Sequence, residues 1–364
     1  MDSATLTGAV QSCYSPRSKL HRFESTHVKR IFSTAFQLPV LFTICLTASL
    51  TACDFERVPN FYPEKGYTDH PQEMRDFVAG LRGYARELKP GFIVVGHGAL
   101  PLVSANERTN GTPDSVYIRN LDGLAQDALF YGHDGIDQPT TDGRRNELRS
   151  YLDMARKNGN TTILATDFAV SEHKIDNAYQ LSDDADYLGY VADHRELDNI
   201  PLYPDEPYKV NRRDILELDE ASNFLVLTNT TLYSTRQALV DALAETDYDV
   251  IVMDFFFNGE EFTSDQIRQL QRKANGGLRL VLATVNIGEA ESNRYYWKNH
   301  WVSNPPNWLK EEISGSGRYY VNYWTPTWQN IIYGSSGSYL YKIANAGFDG
   351  AYLLGLDAYQ HFQN

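Results

Sequence analysis

The sequence predicts an α/β fold, a (β/α)8 barrel, over residues 70–364. Two patterns carry that expectation, and a third marks where chemistry collects. Eight short apolar runs of strand length alternate with helical stretches, the count a closed barrel needs. The order opens on a helix, residues 71–88, which fills the gap left when no full helix follows the eighth strand. Strands six, seven and eight each carry an acid at or just past the C-terminal end: YDVIVMDFFF (Asp254), LRLVLATVNIGEAES (Glu289, Glu291) and DGAYLLGLDAY (Asp357). Strand ends fix position while the loops beyond them stay free, so a barrel gathers its chemistry there. An open doubly wound sheet is the runner-up architecture.

Residues 1–53 read as a targeting segment. No charge falls between Ile31 and Cys53, and Lys29-Arg30 stand immediately before. The basic pair, the apolar run IFSTAFQLPVLFTICLTASL and Leu50-Thr51-Ala52-Cys53 together resemble the signal box of bacterial lipoproteins. That resemblance implies lipidation of Cys53 and localisation to the cell envelope through a membrane anchor. Gln37, Pro39 and several Thr and Ser weigh against a permanent membrane helix. Residues 1–28 read as an extension ahead of the signal, and 54–69, with prolines and no period, as a tether.

Within the barrel the elements follow in order. Pro71 suits a first helical turn, and Met74, Phe77, Val78, Leu81, Tyr84 and Leu88 recur at helical spacing until Lys89-Pro90-Gly91 stops the helix. Strands are expected at 92–96, 121–125, 162–168, 187–192, 223–228, 248–254, 278–286 and 349–354. Ser234-Thr-Arg-Gln237 and Thr263-Ser-Asp-Gln266 match the capping box, and Asn275-Gly276-Gly277 suits a helix end.

Composition narrows the partners. The net charge is −14; five of the 33 basic and two of the 47 acidic residues lie in 1–53, which leaves 28 against 45, or −17. Such a surface disfavours nucleic acid and favours a cationic ligand, although solubility alone explains it as well. The three cysteines (Cys13, Cys45, Cys53) all fall in the targeting segment, so the barrel is expected to hold no disulfide, thiolate metal site or cysteine nucleophile. No metal and no cofactor is expected: there is no HExxH, and Gly132-His-Asp-Gly135 lacks the Lys of a phosphate loop. The 24 Tyr, 17 Phe and 5 Trp suit sugar stacking and a large core equally.

Three runs then become recognisable. GLRLVLATVNIGEAESNRYYWKNHW, VNYWTPTWQNII and AGFDGAYLLGLDAYQHF resemble the glycoside hydrolase family 114 barrels, in particular their bacterial endo-α-1,4-polygalactosaminidase branch. The resemblance covers roughly residues 71–364. It implies a TIM-type barrel and endo-acting hydrolysis of an amino-sugar polysaccharide by paired carboxylates. In some relatives the strand resembling NFLVLTN comes first and the segment resembling KPGFIVVGHG follows the G-F-D-G strand. The order here is that of a circular permutation, which a closed ring tolerates.

Carried over position by position, the family's strand-eight Asp falls on Leu354, and its second carboxylate on Asp127. A family Asn falls on Gly98, beside His97, and the acid after Glu291 is Ser292. What remains is Asp167, Asp254, Glu291, Arg294 and Asp357, with Glu289 as an extra. The expected roles are Asp127 as general acid and Asp254 or Asp357 as its ionised partner, with Glu291 and Arg294 orienting the sugar. Asp254 is preferred as partner because it ends a buried strand. Asp167, Glu289 and His97 are expected to contact substrate, and Trp301 and Trp308 to form a stacking platform, with Trp324 and Trp328 in the core. The plain alternative has each acid capping a helix or pairing with Arg294. The losses at Leu354 and Ser292 make a saccharide-binding barrel without catalysis the alternative function.

Overall fold

A computed structural model of the protein describes residues 68–363. The expected signal, tether and lipidated Cys53 lie outside these residues. Among the described residues, no helix is long and apolar enough to cross a membrane.

Eight parallel strands form the central sheet: β1 (Ile93–His97), β2 (Gly123–Asp127), β3 (Thr162–Phe168), β4 (Leu188–Ala192), β5 (Phe224–Leu227), β6 (Val250–Asp254), β7 (Leu280–Asn286) and β8 (Gly350–Leu354). Their order is β4-β3-β2-β1-β8-β7-β6-β5. Chain neighbours are therefore sheet neighbours, and β1 pairs with β8, as the helix-first reading requires. All eight expected strands are found. The second lies two residues later than expected, which makes Asp127 its last residue.

Helix α1 (His70–Leu88) precedes the barrel and packs against α2 (Ser115–Arg119) on one side and α8 (Tyr339–Ala346) on the other. It thus occupies the place of the eighth barrel helix. Asp69 caps it, Pro71 sits in its first turn, and Met74, Phe77, Val78 and Leu81 are buried beneath it. Further helices α3 (Asp142–Gly159), α4 (Glu172–Asp184), α5 (Arg236–Ala244), α6 (Ser264–Leu270) and α7 (Pro326–Ile332) cross between strands.

The ring is nearly closed, a small departure from full closure. No backbone ladder joins β4 to β5, whose 193–223 connection contains no α-helix. Aromatic packing spans that seam instead, with Tyr190 5.5 Å from Phe224 and 6.5 Å from Tyr248. Two helix ends also differ from expectation. The cap of α5 is Thr235, not Ser234, because its hydroxyl accepts from Ala238. Helix α6 has the expected capping box but ends at Leu270, and Asn275-Gly276-Gly277 forms a separate turn with Gly276 at φ 98.

Three aspartates pin the N-terminal end of the barrel. Asp122, Asp249 and Asp349 each stand one residue before a strand and accept a backbone N–H from the neighbouring strand or, for Asp249, from the residue two before that strand. The donors are Val94 (2.8 Å), Ser222 (2.8 Å) and Val281 (3.0 Å). Each also holds a cation: Arg82 and Arg86 on Asp122, Lys273 on Asp249, Lys89 on Asp349. These carboxylates fix strand register where a slip would turn every side chain to the wrong face.

Candidate functional site

The acids beyond the strands gather at the opposite, C-terminal end, where the order β3-β2-β1-β8-β7-β6 sets them side by side. On β1 and β2, His97 Nε2 lies 3.1 Å from Asp127 Oδ2, with the two side chains 26% and 35% exposed. Behind the imidazole stands Tyr352 of β8, its ring centre 5.4 Å away. Burial works against charge on His97, but the charge and hydrogen bond of Asp127, and the charge of Asp357, outweigh it and raise its pKa.

Asp167 on β3 does not offer its carboxylate to a ligand in the same way. It is buried, and its Oδ1 accepts the backbone N–H groups of Phe130 (2.7 Å) and Tyr131 (2.9 Å). It therefore shapes the loop after β2, which carries Asp127. Burial lifts its pKa to about 7 against the pull of those donors, and the charge of Asp127 adds to the rise.

The far side of the mouth is held by one guanidinium. Arg294 pairs with both oxygens of Asp254 at 2.9 Å and with Glu291 at 2.7 Å. Its charge also lies 5.3 Å over the ring of Phe256. Asp254 additionally accepts the N–H of Phe256. For Asp254 and Glu291 the pairing alternative thus describes the geometry: Arg294 is committed to two acids rather than to a sugar. Burial raises the pKa of Asp254, and the charge and hydrogen bonds of Arg294 oppose the rise.

Between these groups, the loop after β7 and the turn after β8 nest closely. A side chain on Gly288 would meet the carbonyl oxygen of Gly355 at 1.9 Å. Gly355 itself takes φ 72, and a side chain there would strike Asn286 Oδ1 at 2.2 Å. This close approach explains the glycine of the Gly288-Glu289-Ala290-Glu291 run. It also brings Glu289 and Asp357 to one hollow of about 240 Å³, shared with Tyr320, Ala358, Gln360 and His361. The rings of Tyr320 and His361 stack there, 3.8 Å apart and 7° from parallel. Glu289 accepts from Asn286 (2.8 Å) and Arg318 (3.1 Å), while Asp357 stands exposed in its turn.

The expected stacking platform of Trp301 and Trp308 is not formed. Trp301 and Trp308 are 8% and 6% exposed, and pack edge-on at 5.0 Å, with Trp308 also against Trp328. They belong to the core and present no face for stacking a sugar, because burying large aromatic area outweighs any exposed use. Leu354, at the expected family acid, ends β8 in register with Asn286. The sequence reading missed Asn286, Arg318, Tyr320 and Tyr352. Asn286 ends a strand, a position that signals a site, but the other three gain meaning only from pairing. Residues 318–321 form an antiparallel sheet with 289–291 and 309–312, and that register sets Tyr320 opposite Glu289.

Larger hollows, of about 490 and 530 Å³, lie at the N-terminal end. Their charged walls are mostly self-paired, as in Arg156–Asp186, Lys209–Asp183 and Arg82–Asp122. They form the underside of the barrel, the end at which side chains serve stability rather than chemistry.

Residues 228–364 match the glycoside-hydrolase family GH114. An uncharacterized protein of Methanocaldococcus jannaschii is 36% identical over 134 residues, which is 36% of this chain and 36% of that protein. Uncharacterized proteins of Thermotoga maritima and Deinococcus radiodurans are each 32% identical, over 132 and 129 residues. The match spans only 36–39% of these relatives' lengths. The matched stretch begins just past β5 and runs through Asp254, Glu289, Glu291, Arg294 and Asp357: the chain is a nearly closed (β/α)8 barrel whose residues 228–364 are similar to GH114.

Proposed function

We propose that this barrel is a glycoside hydrolase that cuts a polysaccharide lying across the C-terminal mouth. The observation that carries the reading is the pairing of Asp127, the last residue of β2, with His97 on β1, while Asp357 in the turn after β8 is close enough for its charge to act on the same imidazole. Glycosidic cleavage needs one group to protonate the leaving oxygen and a carboxylate to face the cationic transition state. Asp127 belongs to the proton-donating side. The ionised partner is Asp357, since Arg294 already engages both oxygens of Asp254. Asp357 stands three residues beyond Leu354, so the strand-eight acid is displaced into the turn rather than lost.

An amino-sugar polymer of the polygalactosamine type is the proposed substrate. Its ammonium groups suit an acidic domain and a hollow walled by Glu289 and Asp357. The test is hydrolysis of galactosaminoglycan oligomers, acetylated and deacetylated, by wild type, Asp127→Asn and Asp357→Asn. Each variant is expected to lose about a hundredfold or more in kcat, the scale of acid–base loss. Turnover that survives both changes sinks this site. A second reading, a saccharide-binding barrel without chemistry, draws on Leu354 and on the hold of Arg294 over Asp254. Tight binding by wild type with no turnover would establish it.

Anchoring is proposed from the Leu50-Thr51-Ala52-Cys53 box, with the barrel carried on lipidated Cys53 in a bacterial cell envelope. Cys53→Ser is expected to move the protein from the membrane fraction to the soluble one. Unchanged fractionation would reject the anchor. The circular permutation is likewise proposed, on the place of α1 between α8 and α2.

A further inference from the structure

We propose that His97, not a carboxylic acid, delivers the proton to the departing glycosidic oxygen, with Asp127 acting as the residue that orients and charges it. The proposal rests on the hydrolase reading above and refines which atom does the work.

The geometry has three parts. Nε2 of His97 faces Asp127 Oδ2 at 3.1 Å, so one N–H of the imidazolium is fixed on that carboxylate. The other ring nitrogen, Nδ1, then carries the proton available for transfer. Tyr352 packs against the ring at 5.4 Å, which restricts its swing, while 26% of the side chain stays exposed at the mouth. A carboxylate paired this way to an imidazolium is a poor proton donor itself, because losing its negative charge would cost the ion pair. An imidazolium beside a carboxylate donates readily near neutral pH.

The charged groups acting on the ring come from two elements. Asp127 on β2 and Asp357 in the turn after β8 both favour the imidazolium, and burial by its neighbours opposes it. Tyr352 on β8 is kept neutral, its pKa raised far above the usual tyrosine value by burial and by Asp127. Asp167 on β3 is coupled to Asp127, with its pKa raised to about 7 chiefly by burial.

The step balances without a further reagent. The Nδ1–H bond breaks as the proton joins the glycosidic oxygen. The bond from that oxygen to the anomeric carbon breaks, its electron pair going to the oxygen. Water adds to the anomeric carbon, and its surplus proton restores the imidazolium.

The experiment pairs two substrates. One is an α-1,4-linked galactosamine oligomer, and the other the 2,4-dinitrophenyl glycoside of the same sugar chain, whose leaving group needs no proton. His97→Gln is expected to lose about a hundredfold on the oligomer, and only a few-fold on the aryl glycoside. Its pH–rate profile on the oligomer should lose the alkaline limb that wild type shows. Asp127→Asn should keep that limb but move it to lower pH, because the imidazolium loses the carboxylate that favours it. Equal losses by His97→Gln on both substrates, or an alkaline limb that persists in that variant, would overturn the assignment while leaving the hydrolase reading intact. Wild type that turns over neither substrate would overturn both. Histidine NMR supplies a separate readout: the ring of His97 should titrate at lower pH in Asp127→Asn than in wild type, and an unchanged titration would reject the pairing.

Discussion

Replacing Lys273 with Met is expected to destabilise the barrel by about 3–5 kcal/mol, the cost of removing one partner from a buried ion pair. Both side chains of the Lys273–Asp249 pair are 0% exposed, with their charged atoms 2.9 Å apart. The ammonium also donates to the carbonyl and the side-chain oxygen of Asn211, at 3.0 and 3.2 Å. The carboxylate takes Asn211 Nδ2 and the Ser222 backbone, each at 2.8 Å. One small network therefore ties the long 193–223 connection to β6 and to the turn before β7. Methionine fills the stem of the lysine but leaves Asp249 charged in an apolar interior, so the loss comes from the stranded carboxylate. Adding Asp249→Asn should recover part of it, since the amide oxygen still accepts from Ser222. Urea unfolding of wild type, Lys273→Met and the double variant reads both effects. A single variant within about 1 kcal/mol of wild type, the range of an exposed pair, would show that this network is dispensable.

That network also marks what the sequence could and could not reveal. The eight strands were legible because each is an apolar run long enough to be buried on both faces, such as LVLATV in β7. Helix α1 was legible from Pro71 and the spacing of Met74, Phe77, Val78 and Leu81. Asp254, Glu291 and Asp357 were visible because strand ends are few. Their division of labour was not, because it depends on where one guanidinium goes. Arg294 could have faced a ligand; it turns instead to Asp254 and Glu291, forty and three residues away in the chain. Lys273, Asp249 and Asn211 sit far apart in sequence with no shared pattern. The aspartates before β2, β6 and β8 follow a rule that emerges only once neighbouring strands are paired. Trp301 and Trp308 looked like surface aromatics in a polar stretch, and the antiparallel flap that buries them has strands too short to read alone.

Replacing Arg294 with Met is the other change expected to cost about 3–5 kcal/mol near neutral pH, again by stranding charge. Here two carboxylates are left rather than one. The side chains of Asp254 and Glu291 are only 17% and 20% exposed, and the guanidinium that separates them is 10% exposed. Methionine keeps contact with Phe256 but supplies no charge. Both carboxyl groups would then feel burial and each other, and their folded-state pKa values would rise above those of the unfolded chain. A raised carboxyl pKa means the folded state binds more protons than the unfolded one. Its stability is therefore greatest in acid and falls as pH climbs through the raised value. Wild type shows the same direction in weaker form, since burial already lifts Asp254 against the pull of Arg294. The gap in melting temperature between wild type and Arg294→Met should accordingly be wide at pH 8 and narrow at pH 5. A gap of constant width across that range would mean the two carboxylates are not left charged, and the electrostatic account of this side of the mouth would fail. A narrowing gap would instead establish that Arg294 supplies the charge that balances the acids on the wall opposite His97 and Asp127.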